Sequence, residues 1–328
     1  MTTIILFHKT CLYDHMNNKT IIYGQYKRRF NTFSIENEEG SPTYEYKVEF
    51  CRNRKDFYIE FSNKITHLKE VSFTYNSQQV KMNNILLQFP FDSFDLSLNS
   101  ESTIISTFCK DYAFRLDEWI EYNLRLGFSG IIIFNNDGNK NNPINEPQSR
   151  TDTSSTISEI CKKYKGKVWE VEYDYVPLRG NHYDTLQRIS LHIGVNALKN
   201  KCRRIALIDA DEFIHLPKSP DTKIAEFLQT YNGNAVTMKS NILTNIGDDD
   251  VINNNVLDIA MYVGEDKYTK TILDTSLLSH LEFIVTPHTH PTEVVLEKSE
   301  IIHYHCWINN RYSYNDSMSK IEFLKNDK

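Results

Sequence analysis

A short strand pattern that ends in acids constrains this chain more than any other stretch. Ile205 to Ile208 are four consecutive apolar residues, which predicts a strand covered on both faces, as in a parallel sheet. Asp209, Asp211 and Glu212 follow directly. Open α/β sheets bind ligands at the carboxyl ends of their strands, and paired carboxylates suit Mg²⁺ or Mn²⁺ held together with substrate phosphates. The sequence therefore predicts a metal and diphosphate site here.

The acids alone are weak evidence, because Asp-x-Asp arises by chance about once in an acid-rich chain of this length. Asp248 to Asp250 match the same motif, but they lie in a Gly/Asn-rich stretch without a strand before them, which indicates a solvated turn. The preceding strand distinguishes Asp209 and Asp211 from that match. The alternative is that these acids cap the N-terminus of a helix.

Composition argues against two classes of partner. The net charge of −6 and the lack of a basic block argue against nucleic acid. No apolar run approaches the roughly 20 residues that a membrane helix needs. The opening Thr3 to Phe7 is too short for a signal-peptide core, so we expect no export signal or membrane anchor within these residues and a cytoplasmic location.

The six cysteines are scattered without Cys-x-x-Cys, which favours reduced core thiols over disulfides.

Residues 1–98 alternate short apolar segments with polar turns. Four of these segments show roughly period-two patterning: Thr20 to Tyr26, Tyr44 to Phe50, Phe57 to Phe61 and Val71 to Tyr75. Such segments, rich in aromatic and β-branched residues, are typical of strands. We therefore predict a β-rich N-terminal module over residues 1–98.

Residues 99–328 begin with strand-helix alternation. Strands are predicted at 103–108, 130–134, 167–171, 205–208 and 235–239, and helices at 111–126, 153–164, 183–198 and 221–231. This succession predicts an α/β class domain with a Rossmann-like, mostly parallel sheet flanked by helices. Shorter segments at 256–262, 280–285, 293–296 and 300–304 indicate an antiparallel addition, and residues 315–324 a final helix.

Missing motifs narrow the chemistry. The chain has no G-x-x-x-x-G-K-[ST], no G-x-G-x-x-G after its first strand and no G-x-S-x-G. These absences argue against a P-loop kinase, a dinucleotide oxidoreductase and the usual hydrolase elbow. A nucleotide diphosphate held by a metal remains the best-supported ligand class.

The stretch Cys109 to Tyr122, C-K-D-Y-A-F-R-L-D-E-W-I-E-Y, resembles the opening signature of glycosyltransferase family 92 and of related family 2 enzymes, roughly K-N-E-x-x-Y-L-x-E-W-I-x-Y-H. The resemblance continues with Asn135-Asn136-Asp137, a helix carrying Gln187, Ile208 to Phe213, Lys270 before Ile272, and His303-Tyr304, and so covers about residues 100–325. The Glu-Trp-Ile, Asp-Ala-Asp-Glu-Phe and His-Tyr elements are specific mainly in combination. Tyr112, Arg115 and Asn123 depart from the family pattern, and these departures concern the nucleotide contacts more than the metal.

The resemblance implies a GT-A fold and an inverting transferase. It implies that a hexose, by family precedent galactose, passes from a UDP-sugar to a glycan or other hydroxyl acceptor with the help of Mn²⁺ or Mg²⁺. Asp211 is the expected metal ligand, and Asp209 is expected to reach the metal or the donor ribose. His303 and His305 alternate on a predicted strand and so share a face, where either is a candidate metal ligand or a hydrogen-bonded core residue.

The remaining candidates come from the same resemblance. Lys110 and Lys270 are candidate diphosphate cations, with solvated lysines as the alternative, and the other expected donor contacts are Asp111, Asn136, Asp137 and Gln187. Inversion needs a general base for the acceptor hydroxyl. Asp266, with Glu265 behind it, matches the x-E-D element that supplies this base in many GT-A enzymes, although a surface turn explains the two acids equally well. His288 and His290, on a proline-bounded loop, are candidate acceptor-side residues.

Two other functions stay open at this point. A metal-dependent sugar nucleotidyltransferase would use similar acids, but the usual Gly-rich loop after its first strand is absent. A carbohydrate-binding protein on a catalytically decayed scaffold is suggested by Tyr112 and Asn123, whereas the retained Asp209 and Asp211 argue against decay.

Overall fold

The computed structural model describes residues 4–36, 44–51, 55–110, 112–137, 155–178, 183–245, 261–278, 286–306 and 319–320. The strands are β1 (Ile4–Leu6), β2 (Leu12–Asp14), β3 (Lys19–Tyr26), β4 (Thr32–Glu36), β5 (Tyr46–Phe50), β6 (Asp56–Phe61), β7 (His67–Tyr75), β8 (Gln78–Leu86), β9 (Thr103–Cys109), β10 (Gly130–Asn135), β11 (Val168–Glu172), β12 (Arg204–Leu207), β13 (Glu212–His215), β14 (Ala235–Asn245), β15 (Met261–Asp274), β16 (Glu293–Leu296), β17 (Ile302–Cys306) and β18 (Ser319–Lys320). The α-helices are α1 (Ala113–Leu126), α2 (Ile157–Lys163), α3 (Tyr183–Leu198) and α4 (Ile224–Phe227).

The chain divides into two compact units. The described residues of Met1–Asp95 and Val171–Ala197 form the first unit. Those of Leu96–Glu170, Leu198–Leu281 and Thr286–Lys328 form the second. The first unit therefore contains most of α3, which the sequence predicted within residues 99–328.

The first unit is built from antiparallel strands. One sheet has the order β1-β3-β6-β5 with β2 on β3, and the other has the order β4-β7-β8. Its core is rich in phenylalanine. The ring centroid of Phe30 lies 5.1 Å from that of Phe57 and 4.9 Å from that of Phe73. Arg188 of α3 donates to both carboxylate oxygens of the fully buried Asp56 on β6, at 2.8 and 3.1 Å. A buried charge is tolerated when it is paired in this way.

The second unit is organised on one mixed sheet with the order β11-β10-β9-β12-β15-β14-β17-β13, to which β16 and β18 are added. Strand β9 runs parallel to β10 and to β12. Beyond β12 the direction changes, because β15 is antiparallel to both β12 and β14. Strand β17 then runs parallel to β14 and antiparallel to β13.

The predicted fold class is wrong. Strand makes up 42% and helix 22% of the structure, the sheet is mixed and curled, and the described residues contain only four α-helices. A Rossmann-like, mostly parallel sheet flanked by helices does not describe this arrangement, and the GT-A fold implied by the resemblance is corrected with it.

Strand β15 is the physical reason for that error. It runs for 14 residues, Met261–Asp274, through the middle of the sheet, although its sequence contains Glu265, Asp266, Lys267 and Lys270. Charged residues in a central strand obscure the apolar periodicity from which strands are predicted. The buried Lys270 of this strand is stabilised by tertiary ion pairs with carboxylates, which are described below.

Two further observations concern sequence expectations. The cysteines whose side chains are described are all buried free thiols: Cys11, Cys51, Cys109, Cys161 and Cys202. Across the described ranges, no helix combines the length and the apolarity needed to cross a membrane. The predicted helix at 315–324 lies largely outside these ranges, and its described part, Ser319–Lys320, is a strand that pairs with Tyr262 and Val263.

Candidate metal and diphosphate site

The site is built on a turn between β12 and β13. Strand β12 is buried along its whole length between β9 and β15, so Asp209 is delivered to the edge of the sheet where the parallel strands β9 and β10 also end. The Glu212 backbone N–H donates to the Asp209 carbonyl at 3.1 Å, and the Asp209 N–H donates to Oε2 of Glu212 at 2.7 Å. These reciprocal hydrogen bonds close the turn around Ala210 and Asp211.

Helix α1 fixes the far side of this turn. The fully buried Trp119 donates from Nε1 to the Glu212 carbonyl at 2.7 Å. Tyr122, one turn further along the helix, donates to the Ile214 carbonyl at 2.7 Å. These hydrogen bonds, from the buried Trp119 and the half-buried Tyr122, hold β13 in one position relative to the helix.

A buried ammonium group organises the carboxylates. Nζ of Lys270 lies 2.7 Å from Oδ2 of Asp209 and 3.1 Å from Oε2 of Glu212. The side chains of Lys270 and Glu212 are 4% and 2% exposed, whereas that of Asp209 is 31% exposed. Asp209 is therefore the member of this trio that reaches the surface.

The pKa values at the site follow from burial and from these charges. Burial, with the nearby charge of Glu212, raises the pKa of Asp209 to about 6 despite the attraction of Lys270. Burial opposes ionisation of Glu212 as well, but the charges of Lys270 and His303 outweigh it and hold the pKa of that carboxyl well below its usual range. Glu212 is therefore the permanent anion of the site.

A second cluster contains groups that are suited to a metal ion. One ligand atom each from Asp211, Glu212 and His305 lies within 4.8 Å of the others. Pairing of β13 with β17 places Glu212 directly opposite His305, and Nε2 of His305 lies 3.7 Å from Oδ2 of Asp211. Two carboxylates and one imidazole form a donor set that fits Mn²⁺, with positions left for phosphate oxygens or water.

The two histidines of β17 have different surroundings. His303 is buried, with Nε2 3.0 Å from Oε2 of Glu212 and Nδ1 hydrogen-bonded to Oγ of Ser240. His305 is 16% exposed and lies beside Asp211, which is 22% exposed. Of the four metal ligands predicted from the sequence, the structure groups Asp211 and His305 with Glu212, and it places Asp209 and His303 against Lys270 and Glu212 respectively.

The predicted donor contacts are distributed over both units. Lys110 and Asn136 are buried at the carboxyl ends of β9 and β10, where the Asn136 N–H donates to the Cys109 carbonyl at 2.9 Å. Asp137 follows, its N–H bonded to Oδ1 of Asn135 at 2.9 Å. Gln187 is on α3 in the first unit.

Three other predictions fall wholly or partly outside the described structure. Asp111 lies outside the described residues. Glu265 and Asp266 lie on β15, with Glu265 opposite Asn241, but their side chains are outside the description. All of these roles stay predictions.

Several structural partners of the site were not predicted. Ser240 lies where the register of β14 shifts between Lys239 and Asn241, and nothing in the sequence marks it. Trp119 belonged to the Glu-Trp-Ile element, but its bond to Glu212 depends on a contact 93 residues away along the chain. Asn123, which departs from the family pattern, is buried and donates to the Trp119 carbonyl at 2.9 Å, so this residue serves the packing of α1.

Comparison with known proteins does not indicate what this site binds. No family model matches the chain, and no curated protein matches it at a significant level. The resemblance to glycosyltransferase families 92 and 2 therefore rests on the motifs quoted above.

Proposed function

We propose that this chain is a divalent-metal-dependent hexosyltransferase. It would transfer a hexose, by family precedent galactose, from a UDP-sugar to a hydroxyl group of a glycan or another acceptor. The observation that carries the proposal is the convergence of Asp211, Glu212 and His305 at the end of a buried strand. The mixed sheet is no obstacle, because an activity belongs to its site rather than to a fold class.

The residues of the site have separable tasks under this proposal. Asp211, Glu212 and His305 would hold the ion, and a bound Mn²⁺ would offset the negative charge that develops on the departing UDP. Lys270 offsets part of the negative charge of Asp209 and Glu212, which helps to keep three carboxylates within a small volume. Lys110, buried at the end of β9, would be the second cation available to the donor phosphates.

The test is a thermal-shift measurement with Mn²⁺, UDP and a panel of UDP-sugars. We expect stabilisation by UDP or UDP-galactose only when Mn²⁺ is present, together with slow release of UDP from UDP-galactose. Asp211→Asn should fold normally but lose both the Mn²⁺-dependent shift and the UDP release, because the amide lacks the negative charge that the carboxylate contributes to binding a hard cation. Asp221→Asn, at an exposed aspartate of the same unit, is the matched control and should behave as wild type.

The same panel distinguishes the other functions. Stabilisation by a nucleoside triphosphate and a sugar phosphate, with release of pyrophosphate, would indicate a nucleotidyltransferase. Stabilisation by free glycans without any metal would indicate a carbohydrate-binding protein. A full response of Asp211→Asn would contradict the metal site.

A further inference from the structure

His288 is fastened to the strand that carries Lys270. The Thr271 N–H donates to the Pro287 carbonyl at 2.9 Å, and Oγ1 of Thr269 donates to the His288 carbonyl at 2.6 Å. Within the same segment the His288 N–H donates to Oγ1 of Thr286 at 3.2 Å. These bonds join the segment to the residues on either side of Lys270, so the position of His288 is set by the same strand as the site.

The imidazole ring is also held in one tautomer. Nδ1 of His288 is hydrogen-bonded to the Thr269 carbonyl, and a carbonyl oxygen can only accept, so Nδ1 carries the proton. The lone pair of the neutral ring is then on Nε2. Tyr268 packs against the ring with a centroid distance of 5.8 Å, and the side chain is half-buried. His288 therefore offers a basic nitrogen whose direction is fixed.

The charged groups that act on this ring belong to the candidate site. They are Lys270 on β15, Glu212 on β13 and His303 on β17. Burial is the largest effect and lowers the pKa of His288; the charges of Lys270 and His303 act in the same direction, and Glu212 and the bond to Thr269 oppose it. The ring is consequently neutral at physiological pH, which is the state that a general base requires.

We propose that His288 is the general base of the transfer, a role that rests on the proposed function. Nε2 would take the proton of the acceptor hydroxyl while its oxygen forms a bond to the anomeric carbon of the hexose. The bond from that carbon to the diphosphate oxygen breaks, and its electron pair leaves with UDP. The imidazolium then releases its proton to water, which restores the neutral ring.

His288 and the pair predicted from the sequence differ in their relation to Lys270. Asp266 precedes Lys270 by four residues on β15, which is roughly 13 Å along a strand. His288 is instead bonded to Thr269, the immediate neighbour of Lys270. Among the described side chains, His288 is therefore the candidate base whose ring is held in one position beside the Lys270 segment of β15, and a general base must be positioned in this way to reach the hydroxyl that it deprotonates.

The test compares His288→Asn with His67→Asn, using UDP release from UDP-galactose and Mn²⁺ with water as the acceptor. Asparagine can keep the N–H bond to Thr269 but has no counterpart of Nε2. We expect UDP release to fall at least about 100-fold in His288→Asn, while the Mn²⁺-dependent thermal shift with UDP stays at the wild-type value. His67→Asn, at an exposed histidine of β7, should keep both the wild-type UDP release and the wild-type thermal shift.

The pH profile separates a base from a merely structural residue. The wild-type rate should rise with pH through a midpoint below the ordinary imidazole value of about 6.5, and His288→Asn should lose that rise. The rise that is present in wild type and absent from the variant is the decisive observation. Unchanged turnover in His288→Asn would overturn the base and leave the transferase standing, whereas a wild-type chain that neither binds UDP nor releases it would remove both.

Discussion

At the scale of single residues, Lys270 supplies the positive charge that allows Asp209, Asp211 and Glu212 to lie close together. Its ammonium group lies between Asp209 and Glu212, and Asp211 is only two residues from the first and adjacent to the second. Like charges this close would raise each other's pKa values and repel. The buried ammonium group of Lys270 offsets part of this negative charge without solvent. Its position is fixed because Lys270 is on a central strand.

Removing this cation should be strongly destabilising. In Lys270→Met the side chain keeps its apolar length, but Glu212 is left as a buried anion whose remaining partners are the Asp209 N–H and His303. Removal of one member of a buried ion pair typically lowers the free energy of unfolding by about 3–5 kcal/mol, and urea denaturation measures it. Lys267→Met changes an exposed lysine on the same strand and should stay within about 0.5 kcal/mol of wild type. Equal effects of the two variants would show that the ion pairs contribute nothing net.

At the scale of elements, the pairing of β3 with β6 depends on a glycine covered by an aromatic ring. Gly24 lies directly opposite Phe57, and a Cβ built on Gly24 would come within 2.2 Å of the Phe57 ring. Phe57 is completely buried and packs on Phe30, so the ring has no room to withdraw. The two strands can approach only because position 24 has no side chain.

Gly24→Ala should therefore destabilise the first unit, although alanine is otherwise tolerated better than glycine in a strand. Overpacking of a filled core lowers the free energy of unfolding by about 1–3 kcal/mol. Thermal unfolding of Gly24→Ala, Phe57→Leu and the double variant tests the cause, because the smaller leucine removes the clash. The double variant should be more stable than the sum of the single effects predicts; strict additivity would mean that the alanine acts elsewhere.

Elements with strong local patterns were predictable, and those stabilised by distant contacts were not. Helix α3 has the predicted bounds of 183 and 198, and α1 begins two residues later than predicted and ends at 126. Amphipathic spacing made both helices predictable. Gly127, which takes φ of 104° after α1, explains why α1 ends where it was predicted to end. Strand β15 was missed because its interior lysine is stabilised by carboxylates about 60 residues away along the chain, which no local pattern records.

The candidate site shows the same division. A buried strand followed by acids was sufficient to locate Asp209, Asp211 and Glu212 at a sheet edge. Which of them share a cluster with His305 depends on the register of β13 against β17, and that register is a tertiary property. The alternation of His303 and His305 on one strand does not separate them, and the resemblance favoured His303 through the His-Tyr element. In the structure it is His305 that lies beside Asp211.

At the scale of the whole molecule, each unit has its own core and its own buried charges. In the first unit, the Asp56 carboxylate is paired with the Arg188 guanidinium, and its Oδ2 lies 3.5 Å from Nε2 of His192. In the second unit, the buried ammonium group of Lys270 lies between the carboxylates of Asp209 and Glu212. The stability of the chain therefore depends on pH through two separate groups of residues, and these act with opposite signs.

The signs can be worked out from the folded and unfolded pKa values. Burial lowers the pKa of His192 in spite of Asp56, so the unfolded chain binds this proton more readily. Its contribution is complete above the ordinary value of about 6.5 and is lost as the pH falls below it. Asp209, with its pKa raised to about 6, acts in reverse: its contribution is present at low pH and is lost as the pH rises through 6. Asp56 has a lowered pKa, so it changes stability only below the range of pH 5.5 to 7.5.

We therefore expect His192→Gln to change the slope of stability against pH and not only its level. Acidification from pH 7.5 to 5.5 should destabilise the wild-type chain more than the variant, by at most about 1.4 kcal/mol per pH unit for one proton. Thermal unfolding followed by far-UV circular dichroism at several pH values measures the two slopes. His290→Gln, which removes a histidine of the second unit, should retain the wild-type slope. Parallel curves for wild type and His192→Gln would mean that His192 takes up its proton equally in the folded and unfolded chain, and the buried Asp56–Arg188–His192 group would then have no part in the acid response.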